Sequence, residues 1–336
     1  MIEYNYKKIL VTGGAGFIGS AFIEKIYEKF KSFSLLNIDK LTYAASNRTL
    51  DLFTNFPDYN FKEIDINDFS NLSSEVLKFN PDLVINFAAE SHVDNSITSS
   101  KQFLESNVLG TYNLLEIALK IIKKKENFLF HQISTDEIYG DLNEDDLPFN
   151  EESRIRPSSP YSSTKAASDL LVKAWGRTYK LPFLITNCSN NFGPRQYYEK
   201  IIPKIISNYL DNKTIPLYGD GENIRDWIYV YDHIEAIFKL HQSNIVNDVF
   251  NIGANNERSN IALTNLVLNH LDKIYKKANS KKSIEFVEDR KGHDFRYAID
   301  SKKLKEVIDW KPEVSFEKGI ELTIDWYLEN KEWWNE

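Results

Sequence analysis

The sequence predicts an α/β fold: a Rossmann-type, doubly wound parallel sheet with a smaller C-terminal α/β lobe. Three observations support this fold class. Short apolar runs alternate with helical patterns in the first half of the chain, a glycine-rich turn joins the first run to a helical pattern, and the pattern becomes irregular after about residue 188. Alternating strand and helix patterns are typical of crossover units, which place their strands in one parallel sheet.

Short apolar runs supply the strands of this sheet. The predicted strands are Ile9 to Thr12, Leu35 to Asp39, Asn60 to Ile66, Leu83 to Ala89, Phe128 to Ser134, Phe183 to Asn187 and Val249 to Gly253. Between the fourth and fifth runs, apolar residues recur at three- and four-residue spacing from Leu104 to Ile122. That spacing predicts a long helix with one apolar face.

The chain divides into two regions. After residue 188, Pro194, Pro203 and Pro216 punctuate short segments, and Gly219 to Gly221 are typical of a turn. We therefore expect a Rossmann domain in residues 1–188, to which residues 230–255 return. Residues 189–229 and 256–336 would form a second lobe that binds the substrate.

Composition and charge exclude several classes of partner. The 336 residues include 49 acidic and 41 basic side chains, a net charge of -8, so no bulk positive field exists to attract nucleic acid or an anionic membrane. The one cysteine, Cys188, excludes an internal disulfide, and the six histidines lack metal-ligand spacing. We expect no metal, no membrane span and no signal peptide, and hence a cytoplasmic protein.

A glycine-rich turn follows the first predicted strand. Gly13, Gly16 and Gly19 stand where a strand passes into a helix, so that a pyrophosphate can approach main-chain N–H groups at the helix N-terminus. Asp39 ends the second predicted strand, where a carboxylate can accept hydrogen bonds from both ribose hydroxyls and repel a 2′-phosphate. The pattern predicts a dinucleotide site that favours NAD over NADP.

A second chemical signal follows the fifth predicted strand. Tyr161 and Lys165 come just after Pro157 and Pro160, where a helix is expected to start, and their spacing of four places both on one helix face. A lysine ammonium beside a phenol lowers the pKa of the phenol, which could then accept a proton from a sugar hydroxyl. The fifth strand ends in Ser134-Thr135-Asp136-Glu137, so hydroxyls, carboxylates and the tyrosine could converge at one sheet edge.

Nearly the whole chain is similar to a known family. The matching segments include Val11 to Ser20, Phe87 to Val93, Ser134 to Gly140, Tyr161 to Lys165, Ser189 to Pro194, Glu199 to Pro203, Ile224 to Val230 and Gly292 to Asp300. They resemble the extended short-chain dehydrogenase/reductases, and within them the nucleoside-diphosphate-glucose 4,6-dehydratases. The triplet Thr135-Asp136-Glu137 is the sharper marker, because epimerases and decarboxylases with the same scaffold differ at that point.

The resemblance implies an NAD-dependent lyase that converts dTDP-glucose to dTDP-4-keto-6-deoxyglucose and water. Tyr161, with Lys165 beside it, would act as base while NAD takes hydride from C4, and Thr135 would hydrogen-bond the C4 oxygen. Glu137 would then remove the acidified C5 proton, and a protonated Asp136 would donate to the departing C6 hydroxyl before hydride returns to C6. Two alternatives stay open: a UDP-glucose 4,6-dehydratase, and a nucleotide-sugar 4-epimerase, which would need neither carboxyl.

The resemblance also implies which residues line the ligand sites. The cofactor site would contain Gly13, Gly16, Phe17, Ile18, Gly19, Asp39, Asp65, Ile66, Phe87, Ala88, Ala89, Ser91, Ser106, Tyr161, Lys165 and Asn191. The nucleotide sugar would contact Ser91, Thr135, Asn190, Lys200, Ile201, Pro216, Tyr218, Arg225, Asn260, Arg290 and His293. Arginine suits a diphosphate because its planar guanidinium can donate two parallel hydrogen bonds.

Three features depart from the usual pattern of the dTDP-glucose enzymes. Asn95 stands where arginine is common, segment 193–198 differs from the usual version with histidine and phenylalanine, and Lys291 stands where proline is usual. These changes leave the reaction untouched but bear on which nucleobase the substrate carries. The family also pairs protomers through two long helices, here Ser99 to Ile122 and Tyr161 to Tyr179, so the resemblance implies a homodimer.

Overall fold

The fold is that of a computed structural model, which describes residues 1–277 and 280–334. The four other positions, all within segment 256–336 of the predicted second lobe, lie outside the described residues. The strands are β1 (Ile2–Glu3), β2 (Lys8–Thr12), β3 (Phe30–Lys31), β4 (Ser34–Asp39), β5 (Tyr59–Glu63), β6 (Leu83–Asn86), β7 (Leu129–Thr135), β8 (Phe183–Cys188), β9 (Asn190–Phe192), β10 (Ile215–Tyr218), β11 (Ile224–Tyr229), β12 (Asp248–Ile252), β13 (Glu257–Ser259) and β14 (Ile284–Val287). The α-helices are α1 (Phe17–Lys29), α2 (Asn47–Asp51), α3 (Phe69–Phe79), α4 (Val93–Thr98), α5 (Ser100–Phe103), α6 (Gly110–Ile122), α7 (Pro160–Tyr179), α8 (Ile201–Leu210), α9 (Val230–Gln242), α10 (Asn260–Tyr275), α11 (Lys302–Ile308) and α12 (Phe316–Glu329).

The central sheet confirms the predicted fold class. Seven parallel strands lie in the order β12-β8-β7-β6-β2-β4-β5. Helices α1 and α9 pack on one face of this sheet, and α3, α6 and α7 pack on the other. The chain runs outward from β2 through β4 and β5, then returns to β6 on the opposite side of β2. The carboxyl ends of β2 and β6 therefore flank a topological switch point, where doubly wound sheets bind ligands.

All the predicted strands are present, but two of them end three residues earlier than predicted. β5 ends at Glu63 rather than Ile66, and β6 ends at Asn86 rather than Ala89. The apolar pattern continues past both ends because residues of the following loops, such as Ile66 and Phe87, line a cavity at the sheet edge. The apolar residues in these loops are therefore wall residues of the cavity and do not belong to the sheet.

The predicted helix over residues 99–122 is not a uniform α-helix. It consists of α5, a π-helical segment Leu104–Leu109, and α6. In the π segment the buried Asn107 side chain accepts a hydrogen bond from the Glu90 amide at 2.9 Å and donates to Thr164 Oγ1 at 2.9 Å. Single π turns inside longer helices are frequent at functional sites. Here the π turn carries Ser106, which lines the same cavity.

Helix α7 begins where the prolines predict. The Ser159 hydroxyl accepts a hydrogen bond from the Ser162 amide, and the Ser162 hydroxyl accepts one from the Ser159 amide, both at 3.0 Å. This reciprocal arrangement is a capping box, and Pro160 occupies the first helical position, where no amide hydrogen is needed. The first two turns carry Tyr161 and Lys165, both buried at the sheet edge.

The second lobe has its own apolar core. Strands β9, β11 and β13 form a three-stranded sheet, β10 pairs with β14, and α8, α10 and α12 contribute buried side chains. By contrast, β12 pairs with β8 at the edge of the central sheet. The limits of the two regions stay a prediction.

Two global features follow from the described part of the chain. Across residues 1–277 and 280–334, no helix is both long enough and apolar enough to cross a membrane. In the same ranges, no group of three or more histidine, cysteine, aspartate or glutamate side chains is arranged to hold a metal ion. The cytoplasmic location stays a prediction.

We predict that Phe130→Ala destabilises the fold strongly. Phe130 lies in β7 with 0% exposure, and its removal would leave a cavity inside the packed sheet face. Loss of a buried phenylalanine ring costs about 3–5 kcal/mol in the free energy of unfolding. The matched control is Phe286→Ala on β14, where the side chain is 57% exposed and the expected change is about 0.5 kcal/mol or less. Chemical denaturation followed by circular dichroism measures both, and equal losses would contradict this packing.

Candidate active site

Two adjoining cavities open at the carboxyl edge of the central sheet. The first has a volume of about 290 Å³ and lies over the ends of β2, β4, β6 and β7. The second has a volume of about 360 Å³ and extends from that edge to the second lobe. The residues common to both walls are Ser91, Glu137, Asn190, Asn191, Gln196, Glu199 and Lys200. Two ligands can therefore lie side by side, with their reacting ends at the shared wall.

The glycine turn between β2 and α1 forms one end of the first cavity. Gly13 has a φ of +74°, and a Cβ at this position would lie 2.6 Å from the Ala88 amide nitrogen. A Cβ on Gly19 would lie 2.3 Å from the Gly13 carbonyl oxygen. Gly16 precedes α1 and has no side chain to cap it. The first amides of α1 thus stay available to an anion, as predicted for a pyrophosphate.

Asp39 closes this turn from the end of β4. Its carboxylate accepts hydrogen bonds from the Ala15 amide at 3.0 Å and from the Leu41 amide at 2.9 Å. Burial raises the pKa of Asp39, while these amides and the neighbouring Lys40 lower it. The carboxylate therefore holds the glycine turn in place and lines the first cavity at the same time.

Most residues predicted for the cofactor site line the first cavity. In addition to Asp39 they are Gly13, Gly16, Phe17, Ile18, Gly19, Ile66, Phe87, Ala88, Ala89, Ser91, Ser106, Tyr161, Lys165 and Asn191. Asp65 differs, because its carboxylate accepts a hydrogen bond from the Asn67 amide at 2.9 Å and lies 3.7 Å from Lys40 Nζ. The Asp65 side chain is therefore hydrogen-bonded within the turn that follows β5, and Asp65 is not part of the cavity wall.

The sequence reasoning missed part of the first wall. The additional residues include Lys40, Thr42, Ala44, Ala45, Gln196, Tyr197 and Glu199. They lie on the loops that follow β4 and β9; Glu199 begins the matching segment Glu199 to Pro203, but the sequence pattern gives its side chain no role. The one usable signal is Asp39, because the loop that follows a ligand-binding strand end necessarily starts beside the ligand.

Strand β7 ends at the wall that the cavities share. Residues Asp136–Tyr139 form a 3₁₀ turn, in which the Thr135 hydroxyl accepts a hydrogen bond from the Glu137 amide at 3.3 Å and donates to Asp136 Oδ1 at 3.3 Å. This tight turn separates two consecutive carboxyls. Asp136 is 3% exposed and lines the first cavity, whereas Glu137 lines both.

The two carboxyls have different electrostatic surroundings. Burial, together with Glu137 and Asp226, raises the pKa of Asp136 well above its usual range. Burial also raises the pKa of Glu137, but several nearby cations, Arg225 first among them, oppose that shift. A proton is therefore held more firmly on Asp136, and negative charge is better tolerated on Glu137.

In the structure the pKa of the Tyr161 phenol is raised, whereas the sequence predicts that a lysine beside a phenol lowers it. Burial and the Glu137 carboxylate raise the pKa of Tyr161 well above its usual value. Lys165 Nζ donates instead to the Ile133 carbonyl at 2.7 Å, and burial lowers the pKa of its ammonium. Both residues lie on one face of α7 as predicted, and the ammonium is hydrogen-bonded to the backbone of β7.

The second cavity contains the residues predicted to contact a nucleotide sugar. They are Ser91, Asn190, Lys200, Ile201, Pro216, Tyr218, Arg225, Asn260, Arg290 and His293. Thr135 lines the adjoining first cavity. Wall residues that the sequence reasoning missed include His92, Asp94, Ser159, Lys204, Trp227, Thr264, Asp294 and Tyr297. They come from separate segments, and only the packing of the second lobe on the sheet brings them together.

A cluster of cations lies beside Glu137. Arg225 donates hydrogen bonds to three backbone carbonyls and packs 4.2 Å from the Tyr297 ring centroid. Arg290 packs 4.9 Å from the Tyr218 ring centroid. Lys200 Nζ donates to the Ser91 carbonyl at 3.1 Å, and burial lowers the pKa of its ammonium. In a chain of net charge -8, these side chains form a local site for a small anion.

Three buried polar atoms of the walls indicate polar ligands. Asp136 Oδ2, Asn190 Oδ1 and Gln196 Oε1 have no hydrogen-bond partner in the part of the chain that the structure describes. Buried polar atoms in native proteins are nearly always paired, because each unpaired one costs about 1–3 kcal/mol. All three line the cavities, so a ligand with hydroxyl or amide groups fits them.

The family model described as GDP-mannose 4,6 dehydratase matches residues 10–323. The chain belongs to this family. The match spans the sheet, both cavities and most of the second lobe, so it confirms the family resemblance drawn from the sequence.

Individual members of the dehydratase family match along nearly their whole length. A dTDP-glucose 4,6-dehydratase of Salmonella typhimurium is 47% identical over 342 residues, covering 98% of this chain and 94% of the relative. A dTDP-glucose 4,6-dehydratase structure from Streptomyces venezuelae, solved with NAD, has a TM-score of 0.90 at 39% identity and covers 97% of this chain and 98% of that chain.

An enzyme of different activity shares the scaffold. A UDP-glucose 4-epimerase from Thermotoga maritima, solved with UDP-glucose, has a TM-score of 0.85 at 27% identity and covers 96% of this chain and 99% of that chain. The fold alone therefore does not separate a 4,6-dehydratase from a 4-epimerase, and the side chains at the shared wall must do so.

We predict that Gly19→Ala impairs both the fold and dinucleotide binding. Its Cβ would lie 2.3 Å from the Gly13 carbonyl oxygen, a backbone atom that can move only if the glycine turn opens. The melting temperature and the dissociation constant for NAD, from calorimetry, measure the two effects. At Gly16 the nearest atom to an added Cβ is 3.4 Å away, so Gly16→Ala should keep the melting temperature of the parent. A Gly19→Ala variant with unchanged stability and affinity would contradict the tight packing of this turn.

Proposed function

We propose that the chain is a dTDP-glucose 4,6-dehydratase, which converts dTDP-glucose to dTDP-4-keto-6-deoxyglucose and water. The observation that carries the proposal is the pair of consecutive carboxyls, Asp136 and Glu137, at the wall shared by the cavities. One is placed to keep a proton and the other lies among cations. Eliminating water needs an acid for the departing hydroxyl and a base for the C–H proton, whereas a 4-epimerase needs neither.

The first cavity fits NAD. The glycine turn and the start of α1 suit its pyrophosphate, Asp39 suits the ribose hydroxyls, and Ile66 and Phe87 provide apolar wall for its rings. NAD, when bound, supplies a hydride acceptor for oxidation at C4 of the sugar and a hydride donor for C6. The NAD in the related Streptomyces venezuelae structure supports this assignment.

Tyr161 is the base for the C4 hydroxyl, and Thr135 donates a hydrogen bond to the C4 oxygen. Both side chains line the first cavity. Because burial and Glu137 raise the pKa of Tyr161, its phenolate needs a positive charge nearby. Lys165, one turn further along α7, supplies that charge from the same helix face.

Glu137 removes the C5 proton and returns it to C5 when hydride adds to C6, and Asp136 protonates the departing C6 hydroxyl. A C4 ketone makes the C5 proton acidic enough for a carboxylate to accept it. Arg225 favours the ionised form of Glu137, while burial favours the neutral form of Asp136. The 3₁₀ turn after β7 thus places acid and base on consecutive residues.

The second cavity holds the nucleoside diphosphate. Arg225, Arg290 and Lys200 provide positive charge for the two phosphates. Tyr218, Pro216 and Ile201 provide a ring and apolar wall for the base, and Ser91, Asn190, Asn260 and His293 provide hydrogen-bonding groups. The carbohydrate end then lies at the wall shared with the first cavity, next to the two carboxyls.

The function is tested by incubating the purified chain and NAD with one nucleotide sugar at a time: dTDP-glucose, UDP-glucose or CDP-glucose. A 4-keto-6-deoxy product absorbs strongly in the ultraviolet after addition of alkali. We expect the highest kcat/KM with dTDP-glucose. Conversion to the C4 epimer without this absorbance would show an epimerase, and faster turnover of UDP-glucose would overturn the assignment of the base.

We predict that Glu137→Gln lowers kcat by about 10²–10⁴-fold, because the amide keeps the shape of the side chain but cannot accept the C5 proton. Product absorbance in alkali under saturating dTDP-glucose measures the loss. Glu152→Gln changes an exposed glutamate outside both cavities and should keep the activity of the parent. If Glu137→Gln turned over at the rate of the parent, another group would have to be the C5 base.

We propose in addition that two protomers pair through α5, α6 and α7. The outer faces of these helices and of the π segment expose Leu104, Leu109, Tyr112, Leu170 and Tyr179, each between 40% and 54% exposed. Helices α6 and α7 pack against each other, so these side chains lie on neighbouring elements. Large apolar side chains clustered on a surface are typical of a protein interface.

We predict a homodimer with twice the 39.1 kDa mass of one chain. Light scattering coupled to size exclusion measures the mass in solution. Leu104→Glu combined with Leu170→Glu places charges in the proposed interface and should give the monomer mass. Val307→Glu, at a side chain 46% exposed on α11, is the matched control and should keep the dimer. A monomeric parent protein would refute the interface.

A further inference from the structure

A buried carboxylate, Asp169, follows Tyr161 and Lys165 along α7 and has no role in the reaction proposed above. The three residues are spaced by four along α7, so their side chains follow one face of the helix. Asp169 is 1% exposed, Lys165 4% and Tyr161 8%. A buried charge destabilises a protein unless it is paired, so this carboxylate requires a physical reason.

Two consecutive residues of β7 hold the charged side chains. The Ser134 hydroxyl donates to Asp169 Oδ2 at 2.5 Å, and the Ile133 carbonyl accepts from Lys165 Nζ at 2.7 Å. Asp169 Oδ1 has no hydrogen-bond partner within residues 1–277 and 280–334. Neighbouring residues of the strand thus hold the ammonium and the carboxylate, and one carboxylate oxygen has no hydrogen bond within the described residues.

The charges of these groups depend on each other. Burial lowers the pKa of Lys165, and Asp169 is the foremost group that raises it again. Burial raises the pKa of Asp169 to about 6, whereas Lys165, Ser134 and Lys173 lower it. With a pKa of about 6 the Asp169 carboxylate is mostly ionised at neutral pH, and its charge favours the ammonium form of Lys165.

Two further titratable groups face this pair from other elements. Cys188, at the end of β8, also acts on Lys165, but burial raises the pKa of its thiol to about 12, so the thiol is neutral. Tyr139 lies in the 3₁₀ turn after β7, and burial and the charge of Asp169 raise the pKa of its phenol above the usual value. Asp169 is thus the ionised acid among the groups that act on Lys165.

We infer that Asp169 is the counter-ion that keeps Lys165 positively charged inside the closed site, and that Ser134 holds this carboxylate in position. Asp169 is a positioning residue, because it does not line either cavity and acts on the sugar through Lys165. The inference rests on the proposed function, in which the Lys165 ammonium stabilises the Tyr161 phenolate.

The charge of Lys165 can be measured without turnover. In protein labelled with [13Cε]lysine, the Lys165 resonance is assigned by its loss in Lys165→Met and is followed while the pH is raised. Asp169→Asn keeps the shape of the side chain and an acceptor for Ser134 but removes the charge. We expect its Lys165 midpoint to fall by at least one pH unit, about a tenfold weaker hold on the proton. An unchanged midpoint would overturn the inference.

The same variants are tested for turnover. Loss of the Lys165 charge should move the alkaline limb of the kcat profile for dTDP-glucose to lower pH in Asp169→Asn. Asp169→Glu restores the charge and should move the limb back. An equal loss of kcat at every pH would show a structural role and overturn the inference. The control, Asp232→Asn, changes a buried carboxylate on α9 that accepts from the Glu313 and Val314 amides, and should leave the limb in place.

Two more variants keep the test decisive. If Asp169→Asn does not fold, Asp169→Ser is the second neutral variant and must shift the Lys165 midpoint in the same direction. Ser134→Ala removes the hydroxyl that stabilises the ionised carboxylate, so the pKa of Asp169, followed by its labelled 13Cγ resonance, should rise; an unchanged pKa would remove Ser134 from the inference. A parent protein that makes no 4-keto product refutes the proposed function, whereas an unchanged Lys165 midpoint refutes this inference alone.

Discussion

The contact between the end of β7 and the first turns of α7 is the constraint on which the active site depends. The strand ends at Thr135, and the 3₁₀ turn that follows it carries Asp136 and Glu137. The helix carries Tyr161 and Lys165. Backbone and side-chain hydrogen bonds lock the two elements together at residues 133 and 134 of the strand. Because the anchor of Lys165 is a main-chain carbonyl, the relative position of these five groups follows from the sheet itself and not from a mobile loop.

The two carboxyls after β7 can play different chemical roles because their electrostatic surroundings differ. Asp136 and Glu137 are adjacent in sequence, yet burial governs one and neighbouring cations govern the other. The cations come from the second lobe, where Arg225 and Arg290 are held by backbone carbonyls or by aromatic rings. In the proposed function these cations bind the nucleotide, and in the structure they also favour the ionised form of Glu137.

The shared scaffold explains how related enzymes perform different reactions. A 4-epimerase with a TM-score of 0.85 has the same architecture, so the glycine turn and the parallel sheet serve any member that uses a dinucleotide. In the proposed reaction, elimination uses the two carboxyls of the short 3₁₀ turn after β7.

The sequence by itself determined the sheet, the glycine turn, Asp39 and the start of α7, because strand alternation, glycine conformation and proline capping are local properties. Tertiary structure alone decided the rest. The ends of β5 and β6 depend on where the cavity lies. Asp65 is not part of the cavity wall because its carboxylate accepts a hydrogen bond within the turn that follows β5. Lys165 bonds to Ile133, and Asp169 is buried although its sequence context is that of a surface helix, because burial and charge pairing arise only when distant segments pack.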